Sequence, residues 1–366
     1  MNIKEKLELI SRNTEEVLTK EDLENLLLSK STPRHYIGFE ISGKIHLGTG
    51  LVALSKVKDF ADAGLECVIF LADWHTWIND KLGGDFAAIK EIAVNYFKEG
   101  IKTSFKILGG DPKKLHFILG SDLYHRNDKY LGLILGIAKH STLARIKRSI
   151  TILGRKEGSE VDFAKLIYPV MQVADIFALK ADIAHAGLDQ RKAHVIARAV
   201  APKIGYLEPV VIHHSLLMGL TAPAKWPITD LEKKELKLEL KMSKSKPDSA
   251  IFIHDSEEEI KRKIKKSFCP EKEIAYNPIL DMVEKIIFRL NRRDFEIKRL
   301  AKFGGNIVYN SFSDLQNDYK TGRLHPEDLK IAVSLRLIQI LKPAIDHFKK
   351  TEPAKMLARL EELMEK

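Results

Sequence analysis

The residues best suited to chemistry stand in the segment His35–Gly50, HYIGFEISGKIHLGTG. Its short apolar run, Tyr36–Phe39, predicts a buried strand, and an apolar pattern at helical spacing follows the segment. A loop between a strand and a helix directs free N–H groups and the helix dipole at one point, which favours phosphate. His46 adds a side-chain donor there, and Gly48 and Gly50 permit close approach of a ligand. The alternative is a glycine-rich turn with an incidental histidine, because neither common nucleotide-binding motif matches.

Two further places in the chain carry reactive side chains. The apolar run Glu66–Leu71 predicts a strand covered on both faces. Asp73 and His75 follow at its carboxyl end, where open α/β sheets bind ligands. A core histidine explains His75 equally well. Much later, the cationic sequence KMSKSKP over Lys241–Pro247 is typical of a mobile surface loop.

The apolar patterns predict an α/β scaffold with a parallel sheet to position these residues. A helical insertion with a basic face interrupts the alternation at about residues 121–170, and from residue 251 the pattern is helical. We therefore predict N-terminal helices over residues 1–30, a Rossmann-like domain over 31–250 and an all-α domain over 251–366. The remaining strand candidates are Lys102–Leu108, His116–Leu119, Lys180–Ala186 and Pro209–His213, and the helix candidates between strands are Asp85–Gly100 and Lys192–Ala201.

Composition narrows the class of protein. The 366 residues are 45% hydrophobic, and no apolar run approaches the roughly 18 residues of a membrane span. Two distant cysteines, Cys67 and Cys269, exclude a disulfide framework and a cysteine-based zinc site. The charged N-terminus shows no signal peptide, so we expect a cytoplasmic protein that binds neither membrane nor zinc. A net charge of +10 permits a nucleic-acid partner without requiring one.

The early and late loops together resemble a known pair of motifs. His46-Leu47-Gly48 resembles the HIGH motif of class I aminoacyl-tRNA synthetases, and Lys241–Ser245 matches their KMSKS motif letter for letter. From about residue 30 to about 345 the chain is similar to the archaeal and eukaryotic-type tyrosyl-tRNA synthetases. The segments that carry this similarity are YIGFE from Tyr36, YPVMQVADI from Tyr168, GLDQRK from Gly187 and LHPEDLK from Leu324.

The resemblance implies a two-step reaction. ATP, with its associated Mg²⁺, activates L-tyrosine with loss of pyrophosphate, and the tyrosyl group then passes to the terminal ribose of tRNA(Tyr). The catalytic residues would be His46, Lys241 and Lys244, since this chemistry needs alignment of two anions and stabilisation of charge on phosphate. The ATP-binding residues would be His46, Gly48, Thr49, Gly187, Asp189, Lys241, Ser243 and Lys244.

The resemblance also assigns the substrate contacts. Tyr36 and Asp175 would hold the phenolic hydroxyl, so that phenylalanine is rejected by about 10⁴–10⁵-fold. The tyrosine-binding residues would be Tyr36, Gly38, Glu40, Tyr168, Gln172, Asp175 and Gln190. The tRNA-binding residues would be Arg148 and Arg191 at the acceptor end, and Phe303, His325 and Asp328 at the anticodon. Without the resemblance, core aromatics at Tyr36 and Tyr168, a helix-surface acid at Asp175 and a solvated basic face are the favoured explanations. Helix capping before Pro326 is an alternative role for His325 and Asp328, and it is compatible with the anticodon role.

Three positions depart from the pattern of these synthetases. Thr49 replaces the last histidine of HIGH, Tyr124 stands where a pocket glutamine is expected, and Lys244 stands where archaeal relatives often have serine. Three alternatives stay open: a tryptophanyl-tRNA synthetase, another nucleotidyltransferase, and an RNA-binding paralogue without catalysis. The resemblance further implies a homodimer.

Overall fold

A six-stranded sheet forms the centre of the first two thirds of the molecule. The structure is a computed structural model that describes residues 1–155, 158–223, 240–244, 246–290 and 294–365. The strands of this sheet are β1 (Thr14–Leu18), β2 (Arg34–Phe39), β3 (Glu66–Leu71), β4 (Leu115–Leu119), β5 (Ile183–Gly187) and β6 (Val210–His214). Their order is β1-β6-β5-β2-β3-β4, and only β1 runs antiparallel to its neighbour.

Helices connect and cover the strands. Those of the first two thirds are α1 (Ile3–Ser11), α2 (Lys20–Ser29), α3 (Leu54–Asp62), α4 (Asp73–Ile78), α5 (Phe86–Ile92), α6 (Lys98–Ile107), α7 (Gly120–Tyr124), α8 (Asp128–Lys139), α9 (Leu143–Ser149), α10 (Phe163–Ala178) and α11 (Arg191–Val200). Those of the last third are α12 (Glu257–Lys266), α13 (Pro278–Met282), α14 (Phe312–Thr321), α15 (Pro326–His347) and α16 (Thr351–Met364). Wider π-helical turns precede or follow several of them, including Gly48–Ala53 before α3.

The strand order creates a crevice at the carboxyl end of β2. From β2 the chain proceeds to β3 and β4 on one side, and it returns to β5 and β6 on the other. In open α/β sheets the point where the order reverses is where ligands bind. The loop after β2, the start of α4 and the turn after β5 therefore converge on one place.

Two elements differ from the sequence predictions. The prediction of only helices in the first thirty residues is wrong, because β1 lies there and pairs with β6. Strand β1 carries Glu15 and Glu16 and forms through a partner almost 200 residues away, which local pattern does not reveal. The strand prediction for Lys102–Leu108 is also wrong, since the segment lies largely in α6. Its buried residues Ile101, Ser104 and Phe105 follow helical rather than alternating spacing.

The last third is helical as predicted, with one correction to the all-α prediction. Two short strands, β7 (Phe295–Ile297) and β8 (Ile307–Tyr309), form an antiparallel pair there. Helix α12 begins after Ser256, whose hydroxyl accepts the Glu259 N–H at 3.2 Å. Arg289 joins this part to the sheet domain, because it lies 3.2 Å from the buried carboxylate of Asp59.

Candidate active site

The loop after β2 is held in place from two sides. On one side it pairs with the segment before α12, through Leu47 N–H to Ile251 O at 2.9 Å and Ile253 N–H to Ile45 O at 3.0 Å. On the other side, the hydroxyl of Tyr96 accepts the Ile45 N–H at 3.0 Å. The backbone just before His46 is therefore fixed by residues that lie far away in the sequence.

The ring of His46 is oriented by the turn that follows it. Thr49 N–H points at Nδ1 of His46 over a long 3.4 Å, so Nδ1 accepts and the proton resides on Nε2. Burial, together with the charges of Lys244 and Lys241, lowers the pKa of His46 to about 3, so the ring is neutral. A side chain on Gly48 would lie 3.0 Å from this ring, which explains the glycine.

Gly50 does not serve the role that the sequence suggests. A Cβ there would lie only 2.6 Å from Cγ2 of Ile253, inside the apolar core. The missing side chain lets the helix pack against the segment before α12, rather than letting a ligand approach the backbone.

The late loop brings its two lysines onto this region. Lys241 Nζ lies 2.7 Å from the carboxylate of Asp189. Lys244 Nζ donates to Ser42 Oγ at 3.2 Å and lies 5.2 Å above the ring of Phe97. Burial lowers the pKa of Lys244 to about 8 despite the nearby carboxylate of Glu40. Ser243 lies between the lysines in the chain, and Ser245 lies outside the described residues.

A chain of hydrogen bonds leads from Lys241 toward the centre of the sheet. Gln190 Nε2 donates to Asp189 at 3.1 Å, and Gln172 Nε2 donates to Gln190 Oε1 at 3.2 Å. Burial raises the pKa of Asp189, but the charge of Lys241 and the two hydrogen bonds leave that pKa below its ordinary value. Oε1 of Gln172 is buried without a hydrogen-bond partner in the described part of the chain. Gly187 ends β5 just before this group.

Asp175 forms the floor of a buried polar pocket. The hydroxyls of Tyr124 and Tyr130 both donate to its Oδ1 at 2.7 Å. Its Oδ2 is buried and has no hydrogen-bond partner among the residues that the structure describes. Nε2 of His75 lies 3.4 Å from this oxygen. Burial raises the pKa of Asp175 to about 7, although the two tyrosine hydroxyls oppose this shift.

The walls of this pocket are aromatic. Tyr36 on β2 is only 3% exposed, and burial followed by the charge of Asp175 raises the pKa of its hydroxyl. The rings of His75 and Tyr168 meet edge to face at 4.6 Å. Gly38 is exposed near the end of β2, and Glu40 accepts from Asn79 Nδ2 at 2.7 Å, with a pKa raised by burial.

Sequence reasoning missed one residue of the pocket and left two unresolved. Tyr130 gave no signal, because it lies on the inward face of α8 in the predicted insertion. The sequence does not decide between a core role and a site role for His75. It indicates Tyr124 only as a departure from the pattern of the synthetases. All three converge because α4, α7 and α8 pack around Asp175 on α10.

Four of the five residues assigned to tRNA are exposed. Arg148 is exposed, and Arg191 is paired with Glu16 at 2.8 Å. Phe303 is 57% exposed, and His325 caps α15 by accepting the Glu327 N–H at 3.2 Å. Asp328 is half-buried in the first turn of that helix.

Arg299 lies among the residues assigned to the anticodon, and the sequence analysis did not indicate it. Its guanidinium donates to Gly305 O and to Arg323 O, both at 2.9 Å. It therefore ties the turn after Phe303 to the segment that leads into His325. Neither the charge of Arg299 nor its spacing could have indicated this link.

The described ranges contain neither a cluster of metal-binding side chains nor a membrane-spanning helix. No group of three or more histidine, cysteine, aspartate or glutamate side chains there is arranged to hold a metal ion. None of the helices described is both long and apolar enough to cross a membrane.

Comparison with known proteins identifies the family of this chain. A sequence model of the family "tRNA synthetases class I (W and Y)" matches residues 28–342. Tyrosine–tRNA ligase of Thermococcus sibiricus is 54% identical over 98% of both chains. The crystal structure of tyrosyl-tRNA synthetase from Pyrococcus horikoshii in complex with L-tyrosine superposes with a TM-score of 0.94 at 53% identity, covering 98% of this chain and 100% of the other.

Tryptophan enzymes share the fold and little more. The tryptophanyl-tRNA synthetase of Aeropyrum pernix K1 superposes with a TM-score of 0.64 at 19% identity, covering 94% of this chain and 84% of that one. The relatives thus favour tyrosine over the tryptophan alternative. The chain belongs to the class I tRNA synthetases of the tryptophan and tyrosine family, within its tyrosine–tRNA ligase branch.

Proposed function

We propose that the pocket at Asp175 and the two lysines of the late loop together carry out the tyrosine–tRNA ligase reaction. The observation that carries this assignment is their proximity. The loop of His46 receives Lys244, while Asp189 connects Lys241 through Gln190 and Gln172 toward the pocket. An amino acid in the pocket and ATP at the loop would share the crevice at the end of β2.

The phenol of L-tyrosine is recognised at the floor of the pocket. Its O–H donates to Oδ2 of Asp175, the buried oxygen for which the described ranges supply no partner, and the Tyr36 hydroxyl donates to the phenol oxygen. Tyr124 and Tyr130 saturate the other carboxylate oxygen and so direct the phenol to one side. Phenylalanine would leave Oδ2 buried and unpaired, which is the basis for its rejection.

The opposite end of tyrosine faces the amide groups. Oε1 of Gln172, which is buried and has no partner within the described part of the chain, accepts from the α-ammonium, and Gln190 and Tyr168 complete its surroundings. Gly38 and Glu40, near the end of β2, border the same place. This orientation directs the tyrosine carboxylate toward the loop of His46, where the α-phosphate of ATP is attacked.

ATP binds at the loop of His46 and displaces Lys241 from Asp189. Nε2–H of His46, the amide of Gly48 and the hydroxyl of Thr49 bind phosphate oxygens, while the ribose hydroxyls bond to Asp189 beside Gly187. Because Asp189 then has a new partner, Lys241 is released toward the phosphates. There Ser243 and Lys244 also contact the departing pyrophosphate. Mg²⁺ arrives with ATP as part of the substrate.

Transfer to tRNA uses the basic surface and the last third of the chain. Arg148 and Arg191 contact the acceptor end, and Arg191 exchanges Glu16 for phosphate. Phe303 stacks on an anticodon base whose edge bonds to Asp328 and His325. The setting is the cytoplasm, where tRNA is charged.

A homodimer is the assembly that we propose for this chain. Its support is a group of exposed apolar side chains on the helical insertion, at Leu131, Leu135, Leu143 and Phe163, which are 59–75% exposed. Light scattering coupled to gel filtration should give twice the mass of one chain. The mass of a single chain would refute this assembly.

Amino-acid-dependent exchange of labelled pyrophosphate into ATP tests the proposed function. Tyrosine should support exchange, whereas tryptophan and phenylalanine at the same concentration should not. Exchange with tryptophan alone would identify the other branch of the family. Binding of tRNA without exchange with any amino acid would indicate a paralogue without catalysis.

A further inference from the structure

The C-terminal helix α16 contacts the active-site loop. It lies beyond residues 28–342, which the family model matches, and two of its side chains, Leu360 and Leu363, are buried against the rest of the molecule. These anchors bring the last turn of α16 to the tight turn formed by residues 42–44, which lies between β2 and His46.

Two contacts join the last turn of α16 to this tight turn. Glu361 Oε1 lies 2.5 Å from Nζ of Lys44. Met364 covers Gly43, because a Cβ built on Gly43 would lie 3.4 Å from both Sδ and Cε of that methionine. Gly43 has a φ of +130°, a conformation open chiefly to glycine. A turn with so much backbone freedom needs outside contacts to keep one shape.

The same turn is where Lys244 of the late loop docks. Nζ of Lys244 donates to Ser42 Oγ at 3.2 Å, and its Cδ lies 3.7 Å from the Cβ position of Gly43. Met364 and Lys244 are thus both within contact distance of that Cβ position. Any shift of the turn would move the hydroxyl that receives the ammonium.

We propose that Glu361 and Met364 are positioning residues for Lys244. They hold the turn at residues 42–44 in the shape that docks the lysine beside the loop of His46 before ATP binds, and from there its ammonium passes to the departing pyrophosphate. The inference rests on the role proposed above for Lys244. It assigns α16 a part in adenylate formation that mere completion of the core would not require.

The test uses Glu361→Gln and Met364→Ala, separately and together, in the full chain. Both side chains are partly exposed, so the variants should fold and keep their melting temperature. Because small misplacements of catalytic groups lower rates strongly, the double variant should lose about tenfold in kcat of tyrosine-dependent exchange. Its KM for tyrosine should stay within about twofold, since the pocket is untouched.

Glu362→Gln is the matched control. Glu362 lies on the same helix and pairs with Arg359 at 3.2 Å instead of with the turn at residues 42–44. It should exchange at the rate of the unaltered protein. An equal loss in the control, or no loss in the double variant, would overturn the proposal.

A mutant cycle separates positioning from general stability. In a Lys244→Ala background the double variant should cost less than about twofold further, because its effect acts through Lys244. The same tenfold loss in both backgrounds would contradict positioning. If Lys244→Ala itself left exchange unchanged, the role proposed for that lysine would fail first, and this inference with it.

Discussion

The pocket at Asp175 and the late loop hold their charges in opposite ways. In the pocket, two tyrosine hydroxyls bind one carboxylate oxygen, and the other oxygen is buried without a hydrogen-bond partner among the described residues. On the late loop, Lys241 and Lys244 are already bound to groups of the protein, a carboxylate and a hydroxyl. The first region presents a carboxylate oxygen without a partner in the described ranges. The second presents two ammonium groups that would have to leave their present partners to bind a substrate.

This difference indicates a division of tasks between the two regions. A buried acceptor built into α10 and supported by two other helices discriminates by the cost of leaving it unpaired. Cations on a surface loop, which can change partners when ATP binds, contribute as charge develops on the phosphates. We therefore propose that the pocket selects the amino acid and that the loop accelerates adenylate formation.

The largest effect is expected at the floor of the pocket. Asp175→Asn replaces the acceptor with an amide, so the ratio of kcat/KM for tyrosine over phenylalanine should fall from about 10⁴–10⁵ to about 10². Pyrophosphate exchange with both amino acids measures it. Asp62→Asn, which alters an exposed acid paired with Lys58, is the control. An unchanged ratio would remove Asp175 from phenol recognition.

A smaller loss is expected on the loop. Lys244→Ala removes one donor from the transition state, which costs about 3 kcal/mol and so about 10²-fold in the kcat of exchange. The dissociation constant of tyrosine, measured by calorimetry, should not change. The exposed Lys246, two residues further on, is the control as Lys246→Ala. Equal losses in binding and rate would mean that the two regions are not separate.

The pocket should also respond to pH. The pKa of Asp175 is raised to about 7, and only the ionised carboxylate can accept from the phenol in full strength. Tyrosine binding should therefore be strongest above pH 7 and weaken by about tenfold per unit as the pH falls below it. Calorimetry from pH 5.5 to 8.5, a range of about three units chosen to bracket this pKa, measures the profile.

Tyr124→Phe sharpens the pH dependence. The hydroxyl lowers the pKa of Asp175, so its loss should raise that pKa and move the profile to higher pH. Loss of a hydrogen bond to a charged group, about 1.5–3 kcal/mol, should weaken tyrosine binding at neutral pH by about tenfold. A profile that stays in place would show that Tyr124 does not control the carboxylate.

The smallest effect concerns the last third of the chain. Asp328→Ala should raise KM for tRNA in aminoacylation by about fivefold, since one neutral or charged hydrogen bond to a base edge is lost. Exchange without tRNA should remain unchanged. Asp328 also lies in the first turn of α15, so a melting curve must show that any loss of helix stability stays within about 1 kcal/mol. Reduced exchange would show that the residue acts elsewhere.

Sequence alone could predict those parts that depend on local pattern. The runs at β2 and β3 are apolar because both faces are covered, and the loop with His46 follows from its glycines. Strand β1 could not be predicted in this way, because it depends on a distant partner and carries acids. The strand prediction for Lys102–Leu108 is wrong because a short apolar run is compatible with both a helix and a strand.

The site shows the same limit. Motifs indicated His46, Lys241 and Lys244, but they gave no sign that Lys244 reaches Ser42 or that Tyr130 reaches Asp175. Both contacts join segments brought together only by the fold, and their residues have no fixed spacing in sequence. The contacts of Arg299, Glu361 and Met364 could not be predicted for the same reason.

The division of tasks is tested most directly by combining Asp175→Asn with Lys244→Ala and measuring kcat/KM for tyrosine in pyrophosphate exchange. Free-energy costs at independent sites add, so the loss in the combined variant should equal the product of the two single losses. A combined loss no greater than the larger single loss would contradict the account, because the pocket and the loop would then act on the same step as one unit.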